Sequence, residues 1–291
     1  MDSVTVLIAA PGSGAICADV VARLGVEPRW LAQGEVAEFM GLDLTAAKAV
    51  VSGLPIDVNV VPLANRRKKI LLADMDSTMI HQECIDELGV VAGVGDKIKA
   101  ITVRAMRGEI DFEGALKERV ALLKGLDQGV IAQLLRERIT FMEGGAELVA
   151  TMRRHGAHSA LVSGGFTAFT SHVAKALGFQ DNQANTLLIS DGKLTGEVAT
   201  PILGSRAKVE ALTRICQTQG ISHADVLAVG DGANDIPMLL AAGMGVALHA
   251  KPAVQEQAQF VINHGNLTAL LYLQGFTASE FVKTKSHQGI A

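Results

Sequence analysis

Ile70-Leu71-Leu72-Ala73-Asp74-Met75-Asp76-Ser77-Thr78 is a short apolar run that stops on two carboxylates. Four consecutive apolar residues bounded by polar ones fit a strand buried on both faces, as in a parallel sheet. The same form recurs downstream. Ala160-Leu161-Val162 stops at Ser163-Gly164-Gly165, and Val226-Leu227-Ala228-Val229 stops at Gly230-Asp231-Gly232. Further apolar runs cover 245–248 and 260–262, and helix-period stretches such as 168–177 and 205–217 lie between the runs. Short buried strands alternating with helices predict an α/β fold with a doubly wound parallel sheet. Ligands collect at the carboxyl ends of strands in such sheets, so the polar residues that end these runs converge on one site.

Residues 79–144 separate the first two of these strands and read as helices over 82–88, 97–106, 112–123 and 128–138. A crossover needs about a dozen residues, so this stretch is an inserted helical cap that closes over the strand ends. The catalytic core is then 67–78 and 145–275. Residues 1–66 form a small α+β domain in which 4–10 and 56–61 read as strands, 15–24 and 45–53 as helices, and 30–40 as one or two strands. Asn65-Arg66-Arg67-Lys68-Lys69 reads as a solvated linker. The tail, 276–291, is polar and expected to fray.

Composition excludes several classes. The 291 residues are 49% hydrophobic, which rules out intrinsic disorder. A net charge of −4 favours neither nucleic acid nor an anionic membrane surface as partner. The longest apolar stretch, 236–250, is broken by Pro237 and too short to span a bilayer. Asp2 precedes the first apolar run and no basic leader exists, so a cytoplasmic protein is expected. Cys17, Cys84 and Cys216 are too scattered for a zinc site or disulfide frame.

Four elements carry chemistry. Asp74 and Asp76 at a strand end project to one side and repel each other, which a hard divalent cation relieves. One carboxylate then suits nucleophilic attack on phosphorus and the other proton transfer. Gly230-Asp231-Gly232-Ala233-Asn234-Asp235 adds a third carboxylate, with Asp235 placed to orient water around the metal. Ser163-Gly164-Gly165 offers a hydroxyl and amides to a phosphate. Lys208 opens a helix, where a cation opposes the macrodipole unless an anion is near. Each alone is more often a solvated strand end, a capped turn or a surface lysine.

Together, in this order, they resemble the haloacid-dehalogenase-like phosphotransferases. Glu83-Cys84-Ile85-Asp86-Glu87, residues 105–112 and residues 118–123 are similar to the phosphoserine phosphatase branch of that family. The resemblance covers about residues 70–275. It implies a HAD-like core, Asp74 as nucleophile and Asp76 as general acid and base. It implies Mg²⁺ on the Asp74 and Asp231 carboxylates and the Asp76 backbone carbonyl. Ser163, Gly164 and Lys208 would hold the phosphoryl group, with Asn234 beside it. Glu83 would meet the ammonium and Arg119 the carboxylate of O-phosphoserine, and Met106 and Phe112 would wall the cap. The implied activity is hydrolysis of O-phosphoserine to serine, the final step of serine biosynthesis; another small phospho-alcohol such as phosphohomoserine is the alternative substrate. The first domain loosely resembles a shortened ACT-like domain, with amino-acid binding and a structural or homodimer-forming role both open.

Overall fold

Residues 4–9 are apolar at every position but Thr5, where a half-solvated strand would alternate. The computed structural model, which describes residues 2–284, shows why. β1 (Ser3–Ala9), α1 (Ala18–Leu24), β2 (Arg29–Ala32), β3 (Val36–Met40), α2 (Leu44–Val50) and β4 (Ile56–Pro62) run in complete βαββαβ order. The strands form an antiparallel sheet ordered β2-β3-β1-β4, consistent with an ACT-like domain. Leu7, Ala9, Ala37, Phe39 and Ile56 pack beneath its two helices. Val4, Val6, Ile8, Val36 and Val61 face the other way and join the main core of the molecule. Both faces are buried.

β5 (Ile70–Ala73) starts the second unit. A helical insertion follows: α3 (Cys84–Val91), α4 (Gly95–Met106), α5 (Phe112–Ala121) and α6 (Gly129–Glu137). The chain leaves and re-enters the core at one place, because Ile80 and Phe141 pair as an antiparallel bridge. Then come α7 (Gly145–Arg154), β6 (His158–Phe166), α8 (Thr167–Leu177), β7 (Asp181–Asn185), β8 (Leu187–Ser190) and β9 (Lys193–Val198). α9 (Ser205–Gln219), β10 (Val226–Gly230), α10 (Ile236–Ala241), β11 (Met244–Leu248), α11 (Pro252–Gln255), β12 (Phe260–Ile262) and α12 (Ala269–Leu273) complete it. The six-stranded sheet is parallel throughout, ordered β12-β11-β10-β5-β6-β7. The doubly wound core with a helical insertion is as expected. Among the described residues no helix is long and apolar enough to cross a membrane.

Sequence reading missed β7 and the β8–β9 hairpin. Asp191-Gly192 at the hairpin tip, both with positive φ, was its local signal. This hairpin supports the insertion from below: Leu194 exchanges backbone hydrogen bonds with Gly125 and Leu126 at 2.8 and 2.9 Å.

The basic run is not a solvated linker. Arg66 is buried, pairs with buried Glu38 of β3, and donates to the Leu273 carbonyl at 2.6 Å and the Tyr272 carbonyl at 3.2 Å. Arg67 stacks 4.0 Å from the Phe276 ring centroid and bonds Glu280 at 2.7 Å. The run therefore joins the two units. The expectation of a frayed tail fails for residues 276–284: Phe276 is buried, Val282 N–H donates to Thr151 Oγ1 at 2.9 Å, and Thr284 Oγ1 donates to Glu147 at 2.7 Å. The rest of that tail lies outside the described residues. Arg66→Met removes one of the two cations on buried Glu38 and leaves it Arg29 at 2.5 Å, so a loss at or below the low end of the about 3–5 kcal/mol typical of a broken buried pair is expected. Urea unfolding checks this, and adding Glu38→Gln should restore much of the loss.

Candidate active site

β5 and β10 are neighbours, and the Asp74 N–H extends their ladder by donating to the Val229 carbonyl at 3.0 Å. This sets Asp74 beside the loop that carries Asp231. The strand itself stops at Ala73, so Asp74 and Asp76 do not share a side through strand alternation as the sequence suggested. A tight loop places them instead. The Met75 carbonyl accepts from the amides of Thr78, Met79 and Ile80 at 3.3, 2.8 and 3.1 Å, and Ser77 takes a left-handed φ of 53°. Asp74 then points to the core and Asp76 to the insertion, where its Oδ1 accepts from the Cys84 amide at 3.2 Å.

A cavity of about 620 Å³ opens between core and insertion. Asp74, Asp76, Glu83, Arg119, Ser163, Gly164, Asp231 and Asn234 all line it, and so do Met106 and Phe112. Lys208 and Asp235 lie beneath its floor, almost wholly buried. All the residues singled out from the sequence therefore meet at one place.

The floor is an alternation of charge. Lys208 Nζ, in the first turn of α9, lies 2.7 Å from Asp74 Oδ1 and 2.5 Å from Asp235 Oδ1. Burial works against its charge, but the two carboxylates outweigh that and hold it above the usual lysine value. Asp235 also accepts from the Gly232 amide at 3.0 Å, tying down the glycine-rich turn. Asp235 thus contacts the lysine directly, beyond the water-orienting part expected of it.

Burial, then the Asp235 charge, push Asp74 well above the carboxylate range despite Lys208. Burial and Asp235 likewise raise Asp231 to about 6, against a 3.1 Å hydrogen bond from Thr78. Carboxylates this strained favour an added positive charge. One oxygen each from Asp74, Asp231 and Asp235 lies within 4.8 Å of the others, an all-oxygen set that suits a hard divalent cation. The Asp76 carboxylate is outside this cluster. Burial first, then Glu83, raise it to about 7, which suits a group that both gives and takes a proton near neutrality.

The insertion supplies opposite charges to the same cavity. Glu83 precedes α3 without capping it, and accepts instead from Ser77 Oγ at 2.7 Å. Arg119 donates to the Ala115 carbonyl at 3.2 Å and to Thr102 Oγ1 at 3.4 Å, with no carboxylate in ion-pair range among the described residues. Its remaining donors are free for an anion in the cavity. Across from them, Ser163-Gly164-Gly165 is not a turn after the strand, as the sequence suggested, but lies within β6, which runs on to Phe166 with a register shift against β7 between Val162 and Phe166. A Cβ on Gly165 would stand 2.7 Å from Asp76 Oδ2, and one on Gly164 would stand 3.0 Å from the Phe112 ring, so glycine is required for this approach.

Sequence reasoning missed several members. Asn185, 2% exposed, donates to the Gly164 carbonyl at 2.9 Å and exchanges hydrogen bonds with Leu203 at 2.7 and 3.1 Å. It fastens this phosphate-suited stretch of β6 to the segment leading into α9. Asp86 and Lys251 also line the cavity. Asp86 stands in the Glu83–Glu87 stretch without having been singled out, and Asn185 and Lys251 stand in no local pattern.

Residues 71–240 match the haloacid dehalogenase-like hydrolase family model. The chain belongs to this family. A Haemophilus influenzae relative named phosphoserine phosphatase is 45% identical over 204 residues, which are 70% of this chain and 65% of that protein. The match thus spans under two thirds of that relative's length. The unliganded crystal structure of a probable phosphoserine phosphatase from Vibrio cholerae aligns with TM-score 0.80 and 33% identity, over 96% of this chain and 88% of that one. A structure described as a phospho-aspartyl intermediate analogue of phosphoserine phosphatase aligns with TM-score 0.66 and 41% identity, over 71% of this chain and 98% of the other. Family membership accounts for the parallel sheet and the strand-end acids.

Proposed function

We propose that this protein is a Mg²⁺-dependent phosphatase that hydrolyses O-phospho-L-serine to serine and phosphate, the final step of serine biosynthesis, in the cytoplasm. The observation that carries this is the pairing of Glu83 with a carboxylate-free Arg119 in one cavity above Asp74 and Asp76. A zwitterionic phosphomonoester needs one anion for its ammonium and one forked cation for its carboxylate.

In the first half-reaction a carboxylate oxygen of Asp74 bonds to phosphorus as the phosphorus–oxygen bond to serine breaks. Asp76, protonated near neutral pH, gives its proton to the departing serine oxygen. Asp76 then takes a proton from water, whose oxygen attacks phosphorus and releases Asp74 with inorganic phosphate. Ser163, the Gly164 amide, Lys208 and Asn234 hold the phosphoryl oxygens through this exchange. Mg²⁺, held by Asp74, Asp231 and the Asp76 carbonyl, would supply charge neutralisation for the phosphoryl group. Phe112, packed against the core, walls the cavity on the insertion side, while Met106 stands at its rim, 64% exposed. The sequence similarity to named phosphoserine phosphatases supports the same reading.

Phosphate release from O-phosphoserine, with and without Mg²⁺, tests it. Arg119→Ala should lower kcat/KM for O-phosphoserine about a hundredfold, the worth of a forked charged contact, and that for p-nitrophenyl phosphate under about tenfold. Equal losses on both substrates would remove the carboxylate-binding role. Phosphohomoserine turned over faster than phosphoserine would reassign the substrate.

A further inference from the structure

The cavity is lined by five carboxylates but by two cations, Arg119 and Lys251. Arg119 is taken by the serine carboxylate, and Lys208 lies beneath the floor, 2% exposed and already paired with Asp74 and Asp235, so Lys251 is the cation on the cavity wall that an approaching phosphomonoester dianion meets. Lys251 precedes α11, on the loop after β11, and its backbone is clamped. Its carbonyl accepts from the Val254 amide at 2.9 Å, and the neighbouring Ala250 carbonyl accepts from Gln255 Nε2 at 2.6 Å. The Lys251 charge also acts on Glu83 across the cavity, opposing the effect of burial there.

Two residues before Lys251, His249 has a left-handed φ of 46°, uncommon for a residue with a side chain. Two bonds hold it there. Its amide donates to the Ile262 carbonyl at 2.8 Å, and its ring Nε2 donates to the Gly265 carbonyl at 2.8 Å. The turn carrying Gly265 is gripped in turn from the N-terminal unit. Buried Asp57 of β4 accepts three successive amides: Asn263 at 2.8 Å, His264 at 2.9 Å and Gly265 at 2.9 Å. A Cβ on Gly265 would stand 3.2 Å from Ile8 Cγ2 of β1, so the seat is close as well as polar. A hydrogen-bonded chain thus runs from Asp57 through Gly265 and His249 to the Lys251 loop.

We propose that Lys251 is a second binding cation for an entering phosphomonoester dianion, and that Asp57 and His249 are positioning residues that hold its loop. The N-terminal unit is then a structural part of the active site, although none of its described residues lines the cavity. This rests on the phosphomonoesterase reading above but needs no particular alcohol.

Steady-state kinetics on both O-phosphoserine and p-nitrophenyl phosphate, with thermal melts, test it. Lys251→Ala should raise KM about tenfold on both substrates, the worth of one charged contact, with Lys251→Arg recovering most of the loss. His249→Asn keeps tolerance of the left-handed backbone but is too short to reach Gly265. It should raise KM severalfold, and the double variant with Lys251→Ala should be no worse than Lys251→Ala alone. Asp57→Asn, isosteric and gentle on folding, should behave as His249→Asn does. Asn59→Ala is the control, because Asn59 exchanges two 3.0 Å bonds with Val261 at the same seam without leading to Lys251. It should lower the melting temperature and leave KM unchanged. An unchanged KM in Lys251→Ala overturns the binding role. Additive His249 and Lys251 effects, a wild-type KM in Asp57→Asn, or a raised KM in Asn59→Ala overturn the positioning role. A wild-type protein that cleaves p-nitrophenyl phosphate but not O-phosphoserine fails the substrate assignment while leaving these comparisons readable.

Discussion

Asp74→Asn is expected to abolish turnover, by at least about 10⁴-fold, in a protein that folds as well as the parent. An amide oxygen is a poor nucleophile and forms no stable acyl phosphate, so the covalent route is lost rather than slowed. Stability should hold or rise. Asp74 is buried against Asp235 and Asp231, and its charge is opposed by burial first and by Asp235 next. Removing that charge relieves repulsion, while Lys208 keeps Asp235 as its partner at 2.5 Å. Single-turnover phosphate release and a thermal melt together decide the matter. Residual hydrolysis within a hundredfold of the parent would transfer the nucleophile role to another group.

Lys208→Met is expected to damage both stability and turnover. Lys208 is 2% exposed and stands between Asp74 and Asp235. A methionine fills a similar volume but leaves two buried carboxylates facing each other without a cation. Breaking a buried pair from one side typically costs about 3–5 kcal/mol. Losing a fixed cation beside the transferring phosphoryl group costs about 10²–10³ in rate. Lys208→Arg should not rescue, because a planar fork cannot occupy a site shaped for a compact ammonium. Adding Asp235→Asn to Lys208→Met should recover much of the stability and none of the rate. Urea unfolding and steady-state kinetics on the pair separate the two effects. Recovery of rate in the double variant would show that Lys208 serves only to neutralise Asp235.

Much of the catalytic core was legible because its signals are local. Each buried strand, such as Ile70–Ala73, is a run of apolar residues, and each ends on the polar residues that the parallel sheet delivers to one edge. The helical insertion was legible from its length and 3.6-residue period, because its helices bury one face only. Asp74, Asp231 and Lys208 needed no tertiary argument beyond the order of the strands. Asp235 was recognised, but its bond to Lys208 was not, since 27 residues separate them.

The basic run misled for a physical reason. Charge in sequence predicts solvent, and Lys69 is indeed exposed, yet Arg66 is buried by partners on either side of it in the chain, Glu38 and the carbonyls of Leu273 and Tyr272. The tail misled similarly, since the Val282 amide and the Thr284 hydroxyl bond to α7 rather than to water.

What the amino-acid sequence determined alone is the set of chemical groups: strand-end carboxylates, a serine and two glycines beside them, a helix-opening lysine, and an insertion bearing Glu83 and Arg119. These depend on residue type and short spacing, which a linear string preserves. Tertiary structure alone decided how that chemistry is held in place. Asn185 fastens the phosphate-suited stretch of β6, Ser77 aims Glu83, and Asp57 grips a turn more than 200 residues away. Such contacts carry no period and no local signature, because their partners become neighbours only when the two units have docked.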